Sequence, residues 1–144
     1  MAIRLGASNV LYANDKRLLE KVNEITLGGA DYCIESAGKT STIELGFSLI
    51  HKSGGKLLFA SHPPDHETIS LSPHELISGK QISGSWGGSS NPDRDIPIMF
   101  KLFCASKIPI GLLLTKRYRL DQVNEAIDDL ESGNVFRPLI VMEH

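Results

Sequence analysis

The sequence predicts an α/β fold in which parallel strands alternate with flanking helices. Two observations predict it. Gly28–Gly38 (GGADYCIESAG) has the pattern of a turn, a short buried strand and a glycine where the strand leaves the sheet. Lys56–Ser61 (KLLFAS) repeats this pattern after an intervening segment with helical spacing. Strand, helix, strand is the unit from which parallel sheets are built, including those that bind nucleotides, and its crossover is right-handed by default.

Composition and charge narrow the class of protein. The chain has 144 residues, 41% hydrophobic and 22% charged, which fits one domain with an ordinary core. Its net charge of −2 makes nucleic acid an unfavoured partner. No apolar run approaches the roughly 20 residues of a membrane helix, and the first residues lack a signal-peptide segment, so we expect a cytoplasmic location. Cys33 and Cys104 have no CxxC spacing, which favours buried thiols.

The first half of the chain divides into short elements. Asn9–Tyr12 is apolar and predicts a strand. Asn14 and Asp15 offer N-cap oxygens for a helix over Lys16–Thr26, whose apolar residues fall on one face. The strand Ala30–Glu35 follows this helix.

The next segments repeat the alternation. Ser41 and Glu44 have the spacing of a capping box, which predicts a helix running to about His51. Lys56–Ala60 is then a strand, and Ser72–Ser78 is a short helix with proline near its start.

The remaining elements continue the pattern to the end of the chain. They are a strand at Gln81–Trp86, a loop at Asn91–Asp95, a helix over Ile96–Ser106 that Asp95 caps, a turn at Lys107–Gly111, a strand at Leu112–Tyr118, a helix at Asp121–Glu131 and a last strand at Arg137–Met142. A composition break near Gly87–Arg94 is read as a loop and not as a boundary between independent domains.

Six segments, taken in their order and spacing, carry a resemblance to a known family. They are LGASNVL (Leu5–Leu11), GGADYCIESAG (Gly28–Gly38), GGKLLFASHPP (Gly54–Pro64), ISGKQISGSWGG (Ile77–Gly88), RLDQVNEAIDDLESG (Arg119–Gly133) and RPLIV (Arg137–Val141). Together they make the chain similar to the carboxy-terminal part of a medium-chain, zinc-type alcohol dehydrogenase. The resemblance implies a partial Rossmann-like parallel sheet with flanking helices, plus a carboxy-terminal strand-helix-strand segment. It also implies one partial domain, with residues 1–86 as the second half of a dinucleotide-binding domain and 87–144 as a segment shared with the catalytic domain.

The resemblance implies NAD or NADP as the cofactor, bound beyond the carboxyl ends of the strands. The residues placed there are Ser36, Ala37, Gly38, Ala60, Ser61, His62, Ser85, Trp86 and Arg137. By the resemblance, the first three lie beside the riboses, and the next three face the nicotinamide carboxamide through their backbone. Ser85 and Trp86 contact the nicotinamide, and Arg137 approaches the pyrophosphate in a charge-assisted contact.

Several parts of the family's machinery are expected to lie outside this chain. These are the zinc ligands, the glycine-rich phosphate loop and the acidic residue that holds the adenosine ribose. We therefore expect a truncated oxidoreductase that is inactive alone, has no catalytic residue and holds no zinc, although its cofactor would be NAD or NADP. Within a complete enzyme, the function would be oxidation of an alcohol or reduction of a carbonyl.

Two other functions remain open. One is a non-enzymatic oligomerisation or protein-interaction module derived from such an enzyme, and the other is a free-standing nucleotide-binding domain with different chemistry. A bare apolar edge strand invites association, and family members pair through the strand near Gln81–Ser85. We therefore expect a homo-oligomer, in the simplest case a dimer.

Some of the singled-out residues have plainer interpretations. His62, His66 and Glu67 are close in sequence, but loop histidines are commonly solvated, so a metal site is disfavoured. Trp86 suits either stacking on a cofactor or packing at a subunit contact. Arg137 suits either a phosphate contact or an ion pair with an acid such as Glu131. Without the resemblance, Ser36–Gly38 would be only a tight turn.

Overall fold

The computed structural model describes residues 1–105 and 109–142, and the chain forms two compact units. The first unit is Leu11–Pro92, and the second combines Met1–Val10 with Asp93–His144.

A three-stranded parallel sheet forms the centre of the first unit. Its strands are β1 (Tyr32–Glu35), β2 (Lys56–Phe59) and β3 (Gln81–Gly84), and they lie side by side in chain order. Tyr32 pairs with Lys56, which in turn pairs with Gln81, so the strands end level with one another. The predicted parallel sheet is confirmed, and each strand is shorter than its predicted range.

Three helices flank this sheet: α1 (Leu18–Thr26), α2 (Thr40–Leu49) and α3 (Pro73–Ile77). The core lies between α2 and the sheet, where Ile43, Phe47, Ile50 and Leu57 are at most 2% exposed. Gly46 allows this close packing, because a Cβ there would lie 3.0 Å from Leu57 and 3.1 Å from Cys33 Sγ.

The buried cation Lys80 connects elements at the start of β3. Its Nζ donates to the Phe47 carbonyl at 2.9 Å and to Glu75 Oε1 at 2.7 Å, and it lies 4.9 Å from the centre of the Phe47 ring. A buried ammonium group needs such partners, because an unpaired charge in the core is costly. Lys80 therefore joins the end of α2 to α3 as part of the scaffold.

The second unit contains α4 (Pro92–Ala105, beginning at the last residue of the first unit), β4 (Lys116–Arg119), α5 (Val123–Glu131) and β5 (Pro138–Val141). Strands β4 and β5 are parallel, which is the predicted carboxy-terminal strand-helix-strand segment. Tyr118, Ala126 and Val135 form its small core.

Several local predictions are wrong. Asn9–Tyr12 is not a strand, because no strand in the described part of the chain supplies a ladder for it. Lys39, not Ser41, is the N-cap of α2, and the Glu44 carboxylate accepts the Ser70 amide instead of closing a capping box.

The segment predicted as a loop at Asn91–Asp95 is mostly helix. The helix α4 begins at Pro92, a residue type that suits a first helical position because its missing N–H would have no partner there.

The predicted burial of the two cysteines is only partly met. Cys104 is exposed, so its predicted burial is wrong, whereas Cys33 is half-buried. The predicted helix end at Ser106 and the start of the predicted turn at Lys107 lie outside the described residues.

The last part of the chain departs from its prediction at several element ends. The α-helix predicted from Asp121 begins at Val123, and the strand predicted at Arg137–Met142 is Pro138–Val141. Within the predicted strand Leu112–Tyr118, residues up to Leu113 belong to a 3-10 helix (Ile110–Leu113), and the strand starts only at Lys116.

Among the residues that the structure describes, none of the helices combines the length and apolar character needed to cross a bilayer.

Candidate functional site

The parallel sheet of the first unit places three loops at one edge. Because β1, β2 and β3 run in the same direction and end level, the segments that follow them leave from the same side. These segments contain every predicted site residue except Arg137, namely Ser36, Ala37, Gly38, Ala60, Ser61, His62, Ser85 and Trp86. In open α/β sheets this carboxyl edge is where ligands bind.

Glu35, the last residue of β1, lies at this edge, where β1 meets the loop that follows it. Its side chain is buried, with 5% exposed. Oε1 accepts hydrogen bonds from the Ala37 amide at 2.7 Å, the Gly38 amide at 3.0 Å and Thr42 Oγ1 at 2.7 Å. Oε2 accepts a hydrogen bond from Ser61 Oγ. One carboxylate therefore contacts the loop after β1, the first turn of α2 and the loop after β2.

The four donors determine the protonation state of Glu35. Burial by itself raises the pKa of this carboxyl group, because it disfavours the charged form. Hydrogen bonds from Ser61, Thr42 and the amides of Ala37 and Gly38 outweigh burial, and the pKa falls below its usual value of 4.5. Glu35 is therefore an acceptor-only carboxylate at neutral pH.

Sequence reasoning missed Glu35. Its signal was an acidic side chain at the end of an otherwise apolar strand, immediately before Ser-Ala-Gly. A carboxylate in that position needs donors, and the small residues that follow expose their backbone amides to it. The partner from the second loop lies 26 residues away in the sequence, so local pattern could not supply it.

A cleft of about 290 Å³ opens between the loops after β2 and β3. Its lining comprises Phe59, Ser61, His62, Pro63, Gly84, Ser85 and Trp86. Small-molecule pockets usually span roughly 300–1,000 Å³, so this cleft suits one ring system of a ligand. A ligand larger than one ring system would extend beyond it.

Two aromatic side chains form one wall of the cleft. The His62 and Trp86 rings have centroids 4.3 Å apart and planes at 83°. Trp86 is nevertheless 85% exposed, so most of its indole surface faces solvent. Exposed tryptophan beside a cleft offers a flat apolar surface for a ligand ring.

The floor of the cleft depends on a glycine. A Cβ at Gly84 would lie 2.8 Å from Phe59 Cζ, so any larger residue there would require this ring to shift. The Ser85 amide then donates to the Phe59 carbonyl at 2.9 Å, and the Ala60 amide donates to the Glu35 carbonyl at 3.2 Å. These bonds continue the ladder one residue past the strands and fix where each loop begins.

Arg137 is exposed and lies in the second unit, immediately before β5. Among the ion pairs of the described residues, none joins Arg137 to Glu131. The role at a pyrophosphate therefore stays a prediction.

No zinc site is found in the described ranges, 1–105 and 109–142, because no group of three or more His, Cys, Asp or Glu side chains could hold a metal ion there. One of the candidate residues, His66, has its Nδ1 3.7 Å from Asp65 Oδ1, and both side chains are exposed. Zinc needs three or four ligands in fixed geometry. The residues described here do not fit a zinc ion.

Three parallel strands with flanking helices define a Rossmann-like α/β protein. The chain belongs to the zinc-binding dehydrogenase family, whose sequence pattern matches residues 1–104. This confirms the resemblance on which the site residues were predicted.

Solved structures of dehydrogenases share the fold. Benzyl alcohol dehydrogenase from Acinetobacter calcoaceticus is 28% identical with a TM-score of 0.89, and the match covers 99% of this chain and 39% of that one. An alcohol dehydrogenase zinc-binding domain protein from Burkholderia ambifaria is 27% identical with a TM-score of 0.89, covering 99% and 38% of the two chains.

A third structure, described as a zinc-binding dehydrogenase from Sinorhizobium meliloti 1021, is bound to NADP. It is 23% identical with a TM-score of 0.68 over 80% of this chain and 32% of that one, which shows a common fold. This chain thus spans about two fifths of the length of the first two structures. Its fold is that of one part of alcohol dehydrogenase-like oxidoreductases.

Proposed function

We propose that this chain is the nicotinamide-proximal half of the cofactor-binding domain of an NAD(P)-dependent alcohol dehydrogenase or related oxidoreductase. The observation that carries the proposal is the cleft between the loops after β2 and β3, with Trp86 exposed on its wall. Membership of the zinc-binding dehydrogenase family and the NADP bound to one structure of the same fold support it. When bound, the nicotinamide supplies the hydride acceptor or donor.

Each part of the cleft has a task in this proposal. Trp86, held by His62, covers one face of a nicotinamide ring and excludes water from it. Backbone groups of Ala60 and His62 satisfy the carboxamide, which has both a donor and an acceptor. Ser36–Gly38 lies beside the riboses, where small side chains let the backbone approach closely.

This chain alone is proposed to bind the cofactor weakly and to have no dehydrogenase activity. Polarising an alcohol oxygen in this family needs a zinc ion, and the described residues offer no site for one. Turnover of NADH or NADPH by the purified chain with an alcohol or aldehyde, with or without added zinc, would overturn this part of the proposal.

The single tryptophan provides a direct test of cofactor binding. Trp86 is the only tryptophan in the sequence, so its emission reports on the cleft alone. Titration with NADH, and separately with NADPH, should give saturable energy transfer from Trp86 to the reduced nicotinamide. Adenosine diphosphate, which lacks the nicotinamide, should leave the emission little changed. Absence of saturable transfer with both cofactors would refute the proposal.

A second function, a homo-oligomerisation module, is favoured by the apolar surface of β1. Tyr32 and Ile34 are 73% and 74% exposed, and in the described part of the chain no strand pairs with the outer edge of β1. Exposed apolar edges associate with other chains. Light scattering should therefore show a dimer or larger species at micromolar concentration, and Ile34→Lys should shift it toward monomer. A clean monomer would count against this function.

A further inference from the structure

We propose that Glu35 is a positioning residue that sets the spacing between the loop after β1 and the loop after β2. This inference rests on the proposed function, because it concerns the two backbone segments assigned to the cofactor. It assigns a role to a residue that is in neither loop and that lines no part of the cleft.

The two oxygens of Glu35 bind different loops. Oε1 accepts hydrogen bonds from the amides of Ala37 and Gly38 and from the Thr42 hydroxyl, all on the β1 side of the site. Oε2 accepts a hydrogen bond from the hydroxyl of Ser61, which follows β2. Because the two oxygens belong to one planar group, the loops cannot move apart without breaking one set of bonds.

The two loops also lie close together beside the carboxylate. A Cβ at Gly38 would lie 3.7 Å from Ser61 Cβ, so a single methyl group would fill the space between them. Ser61 immediately precedes His62, which contacts Trp86. Fixing Ser61 therefore also fixes the residue that supports the aromatic wall.

The connection depends on the reach of the side chain more than on its charge. Glutamine keeps an oxygen for the three donors on the β1 side, and its amide group can donate to Ser61 Oγ. Aspartate keeps the charge but is one methylene shorter, so it cannot reach both loops from the same backbone position. The pair Glu35→Gln and Glu35→Asp therefore separates reach from charge.

Hydrogen exchange without cofactor tests the connection itself. Glu35→Asp should speed exchange of the Ala37 and Gly38 amides by about tenfold or more, because the shorter side chain cannot hold both amides while it also reaches Ser61 Oγ. Glu35→Gln should stay within about threefold of the parent. Unchanged exchange in Glu35→Asp, or equal acceleration in both variants, would overturn the proposal.

A matched control comes from another glutamate that spans the same distance in sequence. Glu44 Oε1 accepts the Ser70 amide 26 residues away at 2.7 Å, but Glu44 is only half-buried and lines no part of the cleft. Glu44→Asp should leave exchange at Ala37 and Gly38 unchanged. If it accelerates them as much as Glu35→Asp does, the effect is general loosening and the proposal fails.

Cofactor titration then links the connection to binding. Energy transfer from Trp86 should show about tenfold weaker NADH or NADPH affinity in Glu35→Asp and near-parent affinity in Glu35→Gln. If the parent binds neither cofactor, the proposed function fails while the exchange data still decide the role of Glu35.

Ser61→Ala keeps the proposal testable if Glu35→Asp does not fold. It removes the Oε2 contact and should weaken cofactor affinity several-fold while circular dichroism stays unchanged. Unchanged affinity in Ser61→Ala, with the parent binding, would contradict the proposal.

Discussion

The rings of His62 and Trp86 meet nearly at right angles, with planes at 83° and centroids 4.3 Å apart. This contact joins the loop after β2 to the loop after β3 and gives the cleft its aromatic wall. It also leaves most of the indole exposed, at 85%. Such an arrangement stabilises the fold little and offers much surface to a ligand.

Replacing Trp86 should therefore separate binding from stability. We expect Trp86→Ala to change the free energy of unfolding by no more than about 0.5 kcal/mol, because the side chain is exposed. The same variant should weaken NADH or NADPH binding by about three- to tenfold, which is the range of an aromatic contact. Denaturant unfolding followed by circular dichroism and calorimetric titration measure the two effects. Trp86→Phe, which keeps a ring, should lose less affinity; equal losses in both variants would argue against a stacking role.

The acid stability of the protein should depend on Glu35. Its pKa is lowered in the folded state, so the stability it contributes is complete above the usual pKa of 4.5 and is lost as the pH falls through the lowered pKa. Glu35→Gln cannot be protonated in this way. The melting temperatures of the parent and of Glu35→Gln should differ most above pH 4.5 and converge in acid. A difference that does not change with pH would show that the carboxylate charge adds nothing.

Asp129 should produce a second acid transition, in the unit that contains β4 and β5. The Tyr118 hydroxyl, then Lys116 and Asn134, hydrogen-bond its carboxylate and lower its pKa from 3.8 to about 2. Its contribution is therefore complete above pH 3.8 and disappears as the pH falls to about 2. Asp129→Asn should lower the melting temperature at neutral pH and flatten this acid dependence. Asp128→Asn, one residue earlier on an exposed position, is the control and should behave like the parent.

Core packing around α2 should dominate the stability of the first unit. Ile43 is 1% exposed, and Ile43→Ala should lower the free energy of unfolding by about 2–5 kcal/mol through lost burial and a cavity. Ile77, which is 82% exposed, is the matched control, and Ile77→Ala should change the free energy of unfolding by less than about 0.5 kcal/mol. Urea unfolding measures both. Similar losses in the two variants would mean that the core lies elsewhere.

Sequence reasoning reached the parallel sheet because alternating apolar strands and amphipathic helices are a local property. It failed where structure depends on a distant partner. Asn9–Tyr12 has strand-like residues but no neighbouring strand among those described. Glu44 bonds to the distant Ser70 amide and not to its own helix start.

The candidate site likewise has one part that the sequence predicts and one part that only the folded chain shows. The loops after β1, β2 and β3 could be predicted, because parallel strands end at one edge of a sheet. The role of Glu35 could not, since Ser61 is 26 residues away and only the folded chain brings the two together. The contact between His62 and Trp86 also needed the structure, because it forms between two separate loops.

The most direct test of the proposed cofactor site is a map of amide chemical shifts as NADH or NADPH is added to the purified chain. The account predicts that the shifts concentrate in residues 36–38, 60–62 and 85–86, around the cleft and the Glu35 carboxylate. Shifts confined instead to the cavity lined by Arg119, Leu120, Asp121, Val141 and Met142, or no shifts at all, would contradict it.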